Sequence, residues 1–442
     1  MNIQLSDHFD YKKLLRFTLP SITMMIFTSI YGVVDGFFVS NFVGKTPFAA
    51  VNFIMPFLMI LGGVGFMFGT GGSALIAITL GTGDKDKAHR LFSLLVYVSG
   101  ALGILLAVFG ILFIRPIAAL LGAEGVLLNQ CVSYGRIILL ALPAFMLQYE
   151  FQSYFATAEK PQLGLAVTVA AGVTNMVLDA LFVAIFHWGL TGAAAATALS
   201  QAVGGVIPLI YFGRPNASIL RLTRTKFDGK ALLKTCANGS SELMSNISMS
   251  LVSMLYNMQL IRYAGEDGVA AYGVLMYVNL VFLGAFIGYS VGSAPIIGYH
   301  FGAANYAELK NILRKSLMVI GIFSMSMLAL AELLAKPFAL FFVGYDDGLF
   351  DLTCRGFQIY SFSFLFAGLA VYGSSFFTAL GNGLISALIS FLRTLLFQVA
   401  AVLIFPLIWG IDGIWMSIVA AELMAATVTS LFLVGNRAKY HY

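Results

Sequence analysis

Apolar residues in this chain do not alternate with polar ones; they run in long blocks separated by short polar stretches. The blocks lie near residues 14–40, 48–78, 91–114, 126–157, 162–186 and 190–212, then near 236–262, 269–299, 312–335, 355–379, 384–408 and 412–435. Each reaches the ~20 residues needed to cross a bilayer as an α-helix. In lipid the backbone must satisfy its own hydrogen bonds, which leaves helices as the spanning element for blocks of this length. The pattern therefore predicts an all-α integral membrane protein with twelve transmembrane helices. The longest polar connection, RPNASILRLTRTKFDGKALLK, falls between the sixth and seventh blocks. It divides the chain into a six-helix lobe at 1–213, a linker at 214–235 and a second six-helix lobe at 236–442.

Composition supports this division. Of 442 residues 60% are hydrophobic and 10% charged, against roughly 45–50% and about 25% in soluble chains. The net charge of +5 is spread between spans, which marks a membrane face rather than a nucleic-acid surface. With the N-terminus on the cytoplasmic side, the inner loops hold 18 Lys and Arg residues and the outer loops six: Lys45, Arg115, Arg136, Arg262, Lys336 and Arg355. That asymmetry places both termini in the cytoplasm, and a prokaryotic cytoplasmic membrane is the expected location. Cys131, Cys236 and Cys354 are far apart, with no CxxC and no histidine at ligand spacing, so neither a disulfide framework nor a metal site is expected. The polar N-terminus is not a cleavable signal.

The chain also repeats itself. At an offset of 221, half its length, Gly44, Ala49, Ala50, Gly63, Gly71 and Gly81 fall on Gly265, Ala270, Ala271, Gly284, Gly292 and Gly302. The same offset puts Thr157, Trp188, Gly189 and Gly192 on Thr378, Trp409, Gly410 and Gly413. An even number of helices per copy makes the copies parallel, related by a pseudo-twofold along the membrane normal, with a cleft between them. Two lobes rocking about a cleft is the geometry of a secondary transporter. A channel needs a permanently wet axis. An enzyme needs a nucleophile with its base or a metal cluster, and no HExxH, GxSxG or clustered histidine occurs.

Charges inside the spans are functional candidates because burying them in a bilayer is costly. Asp35 lies about 21 residues into the first block, roughly 31 Å at the helical rise, and Asp179 about 17 residues into the fifth, roughly 25 Å. Tyr31 and Asn175 each sit one turn before an acid on the same face. A carboxylate pair, an amide and a phenol can thus converge in the outer half of the first lobe. Their repeat partners Tyr256, Leu396 and Ala400 are not acids, so packing does not demand the carboxylates. Two carboxylates in a low dielectric resist being ionised together and should take up a proton or a cation. Arg393 and Glu422, at similar depth on consecutive helices, read as a structural ion pair. Glu242, about six residues into the seventh block, reads as an inner vestibule residue or a substrate contact, beside the run holding Met254, Tyr256 and Asn257. Glu150 has no role arguable from the sequence.

The segments YGVVDGFFVSNFVG, GTGGSALIAITLGTGDKDKA and NMVLDALFVAIFHWGLTGAAAATALSQ, with VAAYGV, VGSAPIIGYHFGAANY and GIDGIWMSIVAAE in the second half, resemble the multidrug and toxic compound extrusion (MATE) family over about the whole chain, in particular its MepA-like branch. The resemblance implies two six-helix lobes around a large central cavity. It also implies export of lipophilic, often cationic compounds against inward proton or sodium flow. It further implies a cation-coupling set of Asp35, Tyr31, Asn175, Asp179 and Thr197, and a bend of the first helix at Pro20. Other members carry acids on the seventh and tenth helices; Glu242 lies too near its expected helix start to match, and the tenth helix has no acid. The expectation is a monomeric proton- or sodium-coupled antiporter, with no cofactor beyond the coupling ion. The alternative is a flippase for lipid-linked oligosaccharide, whose pyrophosphate would require several cavity bases.

Overall fold

The computed structural model describes residues 3–344 and 346–442, apart from the side chains of Ser40 and Lys45; the outer-side assignment of Lys45 therefore falls outside the described groups. The first lobe runs α1 (Tyr11–Phe38) with a π-helical end at Val39–Val43, α2 (Lys45–Gly81), α3 (Lys85–Leu120), α4 (Gly125–Leu140), α5 (Leu142–Thr157), α6 (Pro161–Asp179) with a π-helical segment at Ala180–Ile185, and α7 (Gly189–Gly213). The second runs α8 (Gly229–Gly302), α9 (Tyr306–Val343), α10 (Asp347–Tyr360), α11 (Ser363–Ala379), α12 (Gly383–Phe391) with a π-helical segment at Leu392–Leu396, α13 (Phe397–Trp409), α14 (Ile411–Gly435) and the short α15 (Arg437–Tyr440).

α8 is two helices meeting at Gly265, whose φ of 64° breaks the helical path. With that break, and with α4–α5 (58°) and α10–α11 (49°) each taken as one bent span, the described residues make twelve apolar spans. The blocks expected at 126–157 and 355–379 are thus broken helices rather than straight ones. The linker is shorter than expected: Asp228 caps the first amides of α8 with its side chain, so the helix starts at 229, not 236. α1 passes through Pro20 without interruption, so the expected bend is no break in the helix.

The repeat is written in the backbone. Gly44 and Gly265, Gly83 and Ala304, and Gly189 and Gly410, each pair 221 apart, all take positive φ. The interface between the lobes is symmetric in the same register. A Cβ on Gly81 would lie 2.1 Å from the Tyr299 carbonyl oxygen, and one on Gly302 would lie 2.1 Å from that of Ile78. Gly71 abuts Gly239 as Gly292 abuts Thr18, and Gly63 faces Asn246 as Gly284 faces Met25. In every case the two contacts are exchanged by the offset, the pattern of an isologous interface built of small residues at close backbone approach. Beyond Ser29, whose hydroxyl donates to the Leu280 carbonyl at 3.2 Å, these contacts cease. Gly32 and Gly273 have no neighbour within 4 Å of a built Cβ. The lobes therefore close together at the end holding both termini, where Phe9 meets His300 and Tyr306 meets His441, and diverge at the other.

Two connecting segments cross this closed end. The linker lies on the first lobe, with the Thr223 amide donating to Ser93 at 2.7 Å and His89 bonded to the Ile219 carbonyl at 2.8 Å, both on α3. The N-terminal segment lies mainly on the second lobe. The Phe9 amide donates to Glu308 at 2.9 Å, Lys315 donates to the Phe9 carbonyl at 2.6 Å, and His8 pairs with Glu308 at 2.6 Å. At its start the Leu5 amide donates to Glu159 of the first lobe at 2.6 Å. Leu5 and Phe9 are fully buried. Burial pushes the Glu159 carboxyl above its ordinary range, opposed by the Leu5 amide.

Candidate functional site

Three helices of the first lobe bring together four of the five expected coupling residues. Asp35 stands near the end of α1 and Asp179 ends α6, each just before a π-helical segment; such segments cluster at functional sites because the extra residue re-aims side chains. Thr197, from α7, donates to Asp35 at 3.3 Å and receives the Asn175 amide at 3.5 Å. Asp179 and Asn175 lie beside Asp35. Asp179 and Asn175 are buried, while Asp35 and Thr197 are half-buried. Both Asp179 carboxyl oxygens and the Asn175 amide oxygen lack a donor among the described residues. Two carboxylates offer only acceptors to each other unless one carries a proton. The chemistry that satisfies this set is an electropositive guest, a proton or a small hard cation, held by carboxylate, amide and hydroxyl oxygens.

Tyr31, the fifth, lies near both Gln148 of α5 and Asp35. Its ring packs where Gly172 leaves room on α6. A second phenol, Tyr134 of α4, is fully buried near Thr197 and the two acids, its hydroxyl without a hydrogen-bond partner among the described residues. Sequence reasoning missed it because the site was assembled from helices that carry acids, and α4 contributes none there.

A cavity of about 440 Å³ lies between the lobes, lined by Met25, Met59, Phe66 and Tyr149 of the first and by Glu242, Asn246, Tyr256, Tyr272, Met276, Tyr360, Arg393 and Glu422 of the second, among others. Glu242 is not a mouth residue. Because α8 starts at 229, it lies about 13 residues in, roughly 20 Å along the helix, and it lines the cavity. The same correction removes the reason for rejecting it as a seventh-helix acid. Of its expected companions, Tyr256 lines the cavity, but Met254 is 71% exposed on the outer face of α8 and Asn257 is not in the lining. Arg393 and Glu422 form the expected ion pair, bonded through both guanidinium and carboxylate edges at 2.8–3.1 Å. They do so in the cavity wall rather than in helix packing. Glu150 is fully buried between α2 and α3, near Ser99 and Tyr154, with neither carboxyl oxygen hydrogen-bonded among the described residues.

The sequence profile of the MatE family matches residues 20–181 and 243–404, one copy in each lobe. The chain belongs to the MatE family. Its relatives include the multidrug export protein MepA of Staphylococcus haemolyticus, 25% identical over 431 residues covering 96% of this chain and 93% of that one. MepA of Staphylococcus aureus strain MRSA252 is 24% identical over 429 residues, covering 96% and 93%. Among solved structures, the outward-facing conformation of a multidrug resistance MATE family transporter superposes with a TM-score of 0.93, at 22% identity, covering 100% of this chain and 98% of that one. A transporter from Pyrococcus furiosus gives a TM-score of 0.91 at 22% identity, covering 98% of each. The MatE fold thus extends over both lobes, and in this MatE chain the acidic centre belongs to the first lobe alone.

Proposed function

We propose that this MatE-family chain is a secondary antiporter that exports lipophilic, often cationic organic compounds in exchange for inward protons or sodium ions. One observation carries the reading: an acid pair short of donors sits within one lobe, apart from a cavity of Met and aromatic walls between the lobes. A guest ion at Asp35 and Asp179 changes the charge and packing of the first lobe, and the change reaches the cavity through α1 and α2, which line it. Exchange then follows if the two guests favour opposite openings of the lobes.

With the termini cytoplasmic, as the 18 to six division of inner and outer bases supports, the open end faces outward, ready to release substrate and accept the ion. The flippase reading is weakened by the cavity itself, whose guanidinium, Arg393, is already bonded to Glu422. The transporter acts as a monomer, since cavity and acidic centre are complete within one chain.

The test is uptake of several fluorescent lipophilic cations into inverted membrane vesicles, with a pH gradient and a sodium gradient imposed separately. Gradient-driven accumulation under one of them supports the reading and names the ion. Accumulation under neither sinks it.

A further inference from the structure

The cavity wall holds three charges from three separate helices of the second lobe: Glu242 on α8, Arg393 in the π-helical segment after α12, and Glu422 on α14. Their repeat partners in the first lobe are Ser21, Gly172 and Gln201. Packing therefore has neutral solutions at all three positions. Arg393 is 13% and Glu422 8% exposed at the side chain, and the guanidinium spends its Nε and one terminal nitrogen on that one carboxylate. Arg393 is also within Coulombic reach of Glu242. Two acids and one base leave one acid uncompensated, and the present pairing makes it Glu242.

We infer that the Arg393–Glu422 pair sets the charge specificity of the cavity: by holding Arg393 to one side, Glu422 keeps Glu242 free as the counter-ion of a monocationic substrate. Glu422 is a positioning residue acting through Arg393, not itself a substrate contact. The apolar body of the substrate lies against Tyr256, Tyr360 and Met276, where aromatic faces and a carboxylate together favour a delocalised cation. A dication is disfavoured because the second carboxylate is already spent. This inference rests on the export reading above and deepens it.

The experiment measures binding of two matched probes, tetraphenylphosphonium and neutral triphenylphosphine oxide, to the purified full-length protein in nanodiscs. In Glu422→Gln the released guanidinium turns to Glu242, so phosphonium affinity falls by about tenfold or more while the neutral probe changes by less than about threefold. In Arg393→Met with Glu422→Met, Glu242 is free again and phosphonium affinity returns to the wild-type range. Glu242→Gln loses the phosphonium selectively. The inference is overturned if Glu422→Gln binds phosphonium as wild type does, or if the double variant is as weak as the single one. Should Glu422→Gln fold poorly, the double variant decides, because it carries no unpaired charge from the pair. If wild-type protein neither binds phosphonium nor accumulates it in vesicles, the export reading itself fails; wild-type uptake with an unaltered Glu422→Gln sinks only this inference.

Discussion

The two lobes share a fold and a contact surface but not a polar interior. Where the first carries Asp35, the second carries Tyr256, which donates to Gln398 at 2.7 Å and stacks on Tyr272 with ring centroids 5.6 Å apart and planes 2° from parallel. Where the first has Asn175 and Asp179, the second has Leu396 and Ala400. The second lobe keeps its charges elsewhere, at Glu242, Arg393 and Glu422, whose equivalents in the first are neutral. Even the π-helical segments differ in register, lying just after Asp179 in one lobe and around Arg393 in the other. A duplicated scaffold has thus been given two different tasks. The shared features are glycines at the interface and at the turns, and the features that diverged are the groups that meet a guest.

The largest expected effect breaks this division outright. Asp35→Asn and Asp179→Asn should each reduce gradient-driven transport by at least ~100-fold, to background, with the protein still folded; vesicle uptake beside a detergent melting curve checks it. Adding Tyr256→Asp and Ala400→Asp to that pair should not rescue transport. The graft destroys the Tyr256 stack and finds Ile418 where the first lobe has Thr197, so coupled transport by the graft would show that carboxylates alone suffice.

Next comes the ion pair. Arg393→Met leaves two cavity carboxylates without a base and should cost about 3–5 kcal/mol of stability. Glu422→Gln should cost less, because Arg393 can turn to Glu242. The double Met variant should recover part of the loss, and additive losses in detergent Tm would show that the residues are not partners. A smaller effect tests the symmetry: Gly81→Ala and Gly302→Ala should weaken the sealed end alike, within about a factor of two, because each new methyl meets the carbonyl of the partner's equivalent residue. Spin-label distances across the closed end report it, and a one-sided effect would break the equivalence. Smallest is the choice of phenol. Tyr134→Phe removes a buried hydroxyl that has no hydrogen-bond partner of its own among the described residues and is free to turn to an acid, so it should weaken ion-coupled uptake by about fivefold, the worth of one such bond, and Tyr31→Phe by less; the reverse order would make Tyr31 the supporting phenol.

The spans and the repeat were legible because lipid leaves little freedom: long apolar blocks must be helices, and two copies at one offset must share a fold. Asp35, Asn175 and Asp179 were legible because depth and helical spacing place them together, and Thr197 only through the family resemblance. The start of α8 was not, because Lys230 and Lys234 make its first turns read as linker, and that error alone misplaced Glu242. Met254 lies two residues from Tyr256, about 200° around the helix at ~3.6 residues per turn, so neighbours in sequence face opposite ways. Tyr134 gave no signal, since its place comes from the packing of α4 against α7, which carries Thr197. The π-helical segments leave no trace in a hydropathy pattern, yet they set the aim of Arg393.

The segment before α1 has a mechanical consequence. Bonded to Glu159 in one half and to Glu308 in the other, it is a clasp fastened across the seam that must part whenever this end opens. Separating Gly81 from Tyr299 unseats Leu5 or Phe9, so each transport cycle briefly wets one of two amides that are otherwise protected. Their hydrogen exchange is a turnover counter read far along the chain from Asp35.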